Sequence, residues 1–363
     1  MKKTFVTKPF LPPLDEYYES LKVIWENGVL TNGGPFHEEF ENALSNFLGL
    51  PFVSLVNNAT SGLMIAIKAL ELKNEVITTP FSFIATSNSI KWNGLDPVFS
   101  DTDRYIGNML VESVEKKINC NTSGILAVHN YGIPGELEKM RLLAKKFKLP
   151  VIYDAAPALG VKLNNESILK FGDLSVVSFH ATKIFTTFEG GAIISHSKSM
   201  KNKIDSIRNF GIKNEYVVEH IGINAKMSEP NAALGLLQLK YLDSIIKERK
   251  NIYNLYRDGL SQSNGCSLIE IPKDLKYNFA YCPVKFEKGL EARDKAYNKM
   301  KNENIFCRKY WYPLITDQKI YSSAKNGELN NAKKLSQKIL FLPIYPGLDK
   351  LYISKILKII NEI

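Results

Sequence analysis

Between residues 52 and 195 short apolar runs alternate with longer segments of helical period, and this alternation constrains the fold more than any other feature. Phe52 to Val56, Glu75 to Thr79, Pro97 to Ser100, Ile125 to His129, Pro150 to Tyr153, Leu174 to Phe179 and Gly191 to Ser195 are apolar runs, many of them rich in β-branched residues, that read as buried strands. Ser61 to Leu72, Ser82 to Trp92 and Gly135 to Phe147 carry helical spacing between them. A strand without a polar face needs cover on both sides. The pattern therefore predicts an α/β fold: a mainly parallel sheet with helices on each face.

Upstream, a helical pattern over residues 20 to 50 is interrupted by the turn signal Leu30-Thr31-Asn32-Gly33-Gly34-Pro35. Downstream, Glu229 to Gly259 reads as a helix leading into a C-terminal α+β unit. That unit has strand-like pieces, Phe279 to Phe286 and Ile305 to Trp311, and a final helix, Leu351 to Ile363. The expected division is a large domain over residues 1–245, including the N-terminal segment, and a small domain over residues 246–363.

At 363 residues and 45% hydrophobic, the chain can build a core of this size. Its net charge of +10 comes from scattered lysines, and no zinc-finger spacing or aromatic RNA-binding motif accompanies them. No nucleic-acid partner is expected; the charge suits attraction of small phosphorylated ligands. The four cysteines, widely spaced and without a CxxC pair, imply reduced thiols and a cytoplasmic location. The basic N-terminus lacks the apolar stretch of a secretory signal, and no run is long enough to span a membrane. The five histidines share no metal-ligand spacing, so no metal is expected.

Several side chains fall at the carboxyl ends of the predicted strands, where an open α/β sheet places its ligand groups. Asp154 ends the run Pro150 to Tyr153, with small Ala155 and Ala156 after it. Beside so apolar a strand its carboxylate needs a partner, either the amides of a following helix or a cationic ring nitrogen. Lys183 follows another strand in Ser178-Phe179-His180-Ala181-Thr182-Lys183. A desolvated lysine there is a nucleophile, and spacing alone does not separate it from a surface lysine. In Asn57-Asn58-Ala59-Thr60-Ser61-Gly62 a strand turns into a helix. Unpaired N–H groups at that helix start favour an anion, and Thr60 and Ser61 add hydroxyls, although the same residues make an ordinary N-cap. Phe83, just past a strand end, can stack on a flat ligand or pack in the core. With Ser178 as a further hydroxyl, the chain offers what pyridoxal 5′-phosphate (PLP) requires: an amine, an anion for the ring nitrogen, a phosphate cradle and a flat apolar face.

Longer blocks carry a family resemblance. Asn58-Ala59-Thr60-Ser61-Gly62-Leu63, Thr79-Pro80-Phe81-Ser82-Phe83-Ile84-Ala85-Thr86, Asp154-Ala155-Ala156, Ser178 to Lys183 and Gly222-Ile223-Asn224-Ala225-Lys226-Met227-Ser228-Glu229 occur in order. Together they resemble the DegT/DnrJ/EryC1/StrS family of PLP-dependent sugar aminotransferases over nearly the whole chain. The resemblance implies the type I aminotransferase fold. It implies that Lys183 carries PLP, that Asp154 faces the pyridine nitrogen and that Phe83 stacks on the ring. Thr60, Ser61 and Ser178 match phosphate contacts. Asn224 matches an asparagine that reaches the cofactor of a neighbouring subunit, which implies a homodimer with shared active sites.

Trp25-Glu26-Asn27, Trp92-Asn93-Gly94, His180 to Lys183 and Arg308-Lys309-Tyr310-Trp311-Tyr312-Pro313 are similar to the subgroup acting on dTDP-4-keto-6-deoxyhexoses. The implied reaction moves an amino group from L-glutamate to the keto sugar, with pyridoxamine 5′-phosphate formed between the two halves. The implied product is dTDP-4-amino-4,6-dideoxyglucose, for a bacterial surface polysaccharide such as O-antigen lipopolysaccharide. Arg308, Tyr310, Trp311 and Tyr312, with Asn32 and Phe188 near the mouth, are the candidate substrate contacts.

Two positions depart from the family pattern. Pro157 stands where Gln or His is usual near the cofactor's ring oxygen, and proline offers neither a side-chain donor nor a backbone N–H. Lys226 stands where arginine is common, keeping the charge and losing the fork. Two alternatives stay open: amination of a dTDP-3-keto-6-deoxyhexose at carbon 3, and a non-catalytic binding protein on the same fold. A nucleotide-binding oxidoreductase would need a G-x-G-x-x-G after the first strand, which residues 57–62 do not supply.

Overall fold

A computed structural model describes residues 3–261, 263, 265–324 and 327–363. Seven strands build the central sheet: Phe52–Val56 (β1), Glu75–Thr78 (β2), Asp96–Phe99 (β3), Thr122–Val128 (β4), Val151–Asp154 (β5), Leu174–Ser178 (β6) and Gly191–Ser195 (β7). Their order is β1-β7-β6-β5-β4-β2-β3. All pairings are parallel except those of β7, which runs antiparallel to both β1 and β6. Side chains alternate between two apolar layers: Val176 and Ile193 pack on one face, Val177, Ala192 and Ile194 on the other. The α/β expectation holds, and the seven predicted runs coincide with the seven strands to within a few residues.

The reversal at β7 changes how the chain connects. Parallel strands of one sheet need a crossover, and helices Ala59–Ala69 (between β1 and β2) and Ile84–Trp92 (between β2 and β3) belong to two of them. Antiparallel β6 and β7 need none. They are joined directly by residues 179–190, at the carboxyl end of β6.

Past the sheet, the helix Glu229–Leu260 runs 32 residues without a break. A three-stranded antiparallel sheet, Cys266–Leu268, Pro283–Phe286 and Ile339–Phe341, comes next, together with helices Leu290–Asn302 and Lys350–Asn361. Near the N-terminus, Thr4–Phe5 pairs in parallel with Ile305–Phe306.

Two C-terminal expectations need correction. The run Phe279 to Phe286 is a strand only over Pro283–Phe286. Buried Arg249 takes the carbonyls of Phe279 (2.9 Å) and Ala280 (2.7 Å), so these groups are not available to a ladder. The run Ile305 to Trp311 is a strand only over Ile305–Phe306. Arg308 makes an isolated bridge to Phe341, and the chain then leaves the sheet as Tyr310 and Trp311 turn to a cavity.

Helix Pro35–Leu48 starts at Gly34, which has no side chain to cap it. The fully buried Glu229 does so from across the fold. Its Oε2 accepts from the Phe36 N–H and its Oε1 from the His37 N–H, both at 2.9 Å. A Cβ on Gly34 would lie 2.6 Å from the Glu229 Cδ, so this approach requires glycine. Glu229→Ala would leave one buried and one half-buried amide unpaired beside a void. It is expected to destabilise the protein by about 3 kcal/mol, read as a lower urea midpoint at unchanged slope.

Candidate active site

A cavity of about 280 Å³ opens at the carboxyl ends of β4, β5 and β6. Asp154 ends β5 and is 6% exposed. Burial pushes its carboxyl pKa up, and three groups oppose that. Thr86 Oγ1 donates to Oδ2 at 2.7 Å, the Ala156 N–H donates to Oδ1 at 3.2 Å, and the Lys183 charge lies close by. Since Thr86 gives its proton to Asp154, the 2.7 Å contact between Ser82 Oγ and Thr86 Oγ1 is donated by Ser82.

Lys183 stands on the direct connection from β6 to β7. Its Nζ donates to the Tyr281 hydroxyl at 3.2 Å, across 98 residues. Tyr281 is set among Tyr131, Tyr310 and Phe341, with ring centroids 5.4–6.2 Å away. His180, also on the connection, faces Glu189 at 3.4 Å and shares a 2.8 Å hydrogen bond with Thr182 Oγ1.

The helix Ala59–Ala69 points its N-terminus at the same cavity. Asn58 caps it, accepting from the Ser61 N–H at 2.9 Å, while the first N–H groups of a helix have no acceptor within it. A Cβ on Gly191 would lie 3.0 Å from the Ala59 nitrogen, so the helix start nears β7 only over glycine.

Of the residues singled out from the sequence, Thr60, Phe83, Asp154, Ser178, Lys183, Tyr310 and Trp311 line this cavity together, as does Pro157. Ser61 does not; its hydroxyl faces the Asn58 Oδ1 at 3.2 Å as part of the cap. Asn224 is exposed and bonded to Lys226 Nζ at 2.8 Å, outside the cavity. Asn32, Phe188 and Arg308 also lie outside it on exposed positions, and Phe188 meets Tyr17 edge-on. Tyr312 lines a neighbouring cavity, its ring 4.4 Å from the buried Arg293 guanidinium. Sequence reasoning misses Thr86, Tyr281, His129 and Asn130. Thr86 falls inside a family block without a role of its own, and the other three carry no local signal.

The DegT/DnrJ/EryC1/StrS aminotransferase family model matches residues 15–361. The chain belongs to this family. It is 45% identical to a dTDP-4-amino-4,6-dideoxy-D-glucose transaminase of Shigella dysenteriae, covering 100% of this chain and 99% of that one. An Escherichia coli transaminase of the same name is 42% identical, over 98% of this chain and 97% of its own. Among solved structures, DesI in the presence of its TDP-sugar product superposes with a TM-score of 0.95 at 29% identity, covering 100% of this chain and 93% of that one. Helicobacter pylori PseC, an aminotransferase involved in the biosynthesis of pseudoaminic acid, superposes with a TM-score of 0.92 at 27% identity, over 99% of this chain and 99% of its own.

The family's members are PLP-dependent aminotransferases, and the residues present fit that cofactor. A buried carboxylate, an amine, a helix start approached over Gly191 and the 57% exposed ring of Phe83 all meet at one cavity. Among the described residues no cluster of three or more His, Cys, Asp or Glu could hold a metal, and no helix is long and apolar enough to cross a membrane.

His129 forms part of the cavity wall and stacks on Tyr153 at 4.3 Å. Both its ring nitrogens are buried without a partner, and burial pulls its pKa down to about 3. The unfolded chain therefore takes up this proton first, and stability falls as pH drops from about 6.5 toward 3. Between pH 7 and pH 5 this one group is expected to remove about 2 kcal/mol. Urea denaturation of cofactor-free protein at both pH values checks it: His129→Phe should show a loss smaller by about that amount.

Proposed function

We propose that this protein transfers an amino group from L-glutamate to dTDP-4-keto-6-deoxyglucose, giving dTDP-4-amino-4,6-dideoxyglucose. The reading is carried by the meeting of Lys183 and buried Asp154 in one cavity of a chain 45% identical, end to end, to a transaminase of that product. Matches to GDP-perosamine synthases stand lower, at 31% and 29%, which favours the dTDP sugar over a GDP sugar. Amination at carbon 4 rather than carbon 3 rests on the two dTDP-4-amino-4,6-dideoxy-D-glucose transaminases, 45% and 42% identical.

When bound, PLP supplies a protonated pyridine ring that takes up the electron pair left as a substrate carbon loses its proton. The chain's part is to hold and to move protons. Asp154 would keep the ring nitrogen protonated, its own ionised form supported by Thr86, the Ala156 N–H and Lys183. Lys183 Nζ would hold the cofactor and, once displaced by the amino donor, carry a proton to and from the α-carbon. Thr60, Ser178 and the helix start at Ala59 would hold the phosphate. Phe83 would cover the ring, and Tyr281 would orient the lysine amine.

The remaining assignments extend this reading. The protein acts as a homodimer, with Asn224 of one subunit reaching the other's cofactor; the exposed Tyr216, Val218 and Ile221, near Asn224 in sequence, support such a contact. Asn32, Phe188, Arg308 and Tyr312 belong with the sugar nucleotide or the subunit contact. Residues 1–245 and 246–363 form the large and small domains, supported by the separate sheet after residue 265. The protein works in the cytoplasm, toward an amino sugar of a surface polysaccharide.

A visible spectrum of PLP-loaded protein, before and after L-glutamate, tests the central step. Wild type should change absorbance on adding glutamate and then recover it with the keto sugar, whereas Lys183→Ala should do neither. Thr86→Val should bind PLP about tenfold more weakly, because Asp154 loses its closest donor. An unchanged spectrum in wild type, or full turnover by Lys183→Ala, would sink the assignment.

A further inference from the structure

Ser82, Phe83, Tyr310 and Trp311 line both the inner cavity and a second cavity of about 510 Å³ beside it. Trp311 thus stands in the wall between the two. Its indole meets the Phe83 ring at 6.0 Å and the Tyr310 ring at 4.6 Å, and it is also held by a hydrogen bond. Nε1 donates to Asn130 Oδ1 at 3.1 Å, from a loop 181 residues away along the chain.

Asn130 lies just past β4 and is 1% exposed. Its amide is not free to turn. Nδ2 donates to the Gly107 carbonyl, and the Asn130 N–H donates to Asn108 Oδ1 at 3.0 Å. Asn108 is itself set by a 3.1 Å bond from its Nδ2 to the Ile133 carbonyl. A flipped Asn130 amide would set oxygen against the Gly107 oxygen and N–H against the indole N–H. The network therefore leaves Oδ1 facing Trp311 before any ligand arrives.

We infer that Asn130 is a positioning residue for the nucleotide-sugar half of the reaction: it holds the Trp311 indole between the inner and second cavities, at the point a nucleoside-diphosphate sugar must pass when it extends beyond the inner one. The inference rests on the aminotransferase function proposed for this chain. Ligand size is what separates the two halves. An amino acid can sit within the inner cavity beside Lys183. A nucleoside-diphosphate sugar is several times larger, so with its sugar at Lys183 the remainder extends beyond that cavity. The second cavity lies on the far side of Trp311.

The test compares wild type, Asn130→Leu, Trp311→Phe and the double variant, all loaded with PLP. Two readouts are kept apart: the absorbance change on adding L-glutamate alone, and the KM and kcat for dTDP-4-keto-6-deoxyglucose. Each single variant should raise the sugar KM about tenfold while the glutamate step stays within about twofold, since each removes the hydrogen bond that holds the indole. The double variant should be no worse than either single one, because both remove the same bond. Multiplying effects in the double variant, an unchanged sugar KM, or a glutamate step that falls in parallel with the sugar step would each overturn the inference. Should Asn130→Leu fail to fold, Trp311→Phe decides alone, since it deletes the Nε1 donor and keeps a ring. A wild type inert toward glutamate overturns both the function and the inference, and it is told apart because it shows before any variant is made.

Discussion

A carboxyl group at the end of a buried strand is the constraint around which the rest of this protein is arranged. Asp154 ends β5 with apolar strands on either side, and burial pushes its carboxyl pKa up. Three groups oppose that shift and favour the ionised form: Thr86 on the helix after β2, the nearby Ala156 N–H, and Lys183 beyond β6. Each must reach the same end of the sheet. Parallel strands satisfy that requirement, because they bring all their carboxyl ends to one edge.

The reversal of β7 adds what a wholly parallel sheet would not. A direct connection from β6 keeps Lys183 at this edge instead of sending the chain over a helical layer. The amine then meets Tyr281, which arrives from the C-terminal part of the chain just before Pro283–Phe286. Tyr310 and Trp311 come from that part as well. The strand ends and the aromatic wall of the cavity therefore come from segments remote in sequence. Contacts such as Lys183–Tyr281 and Trp311–Asn130 join them.

The residues most legible in the sequence are those with a local reason for their position. Asp154 and Lys183 each lie just after an apolar run, and Thr60 sits in a strand-to-helix turn. Expectations fail where a distant side chain intervenes. Arg249 takes the carbonyls of Phe279 and Ala280, shortening a strand whose composition runs further. In the sequence His129 reads only as the end of an apolar run; the fold makes it a cavity wall with two buried, unpartnered nitrogens.

The sequence by itself determined the α/β architecture, the number of strands in the main sheet and the two ionisable groups at the centre of the site. These come from periodicity and from the rule that strand ends carry function, both of which act over a few residues. Only the tertiary structure decided the strand order, the antiparallel β7, the Glu229 cap on the helix Pro35–Leu48, and the partners of Asp154, Lys183 and Trp311. The reason is physical: these hydrogen bonds join groups 68 to 193 residues apart, and no local propensity encodes a partner at that distance.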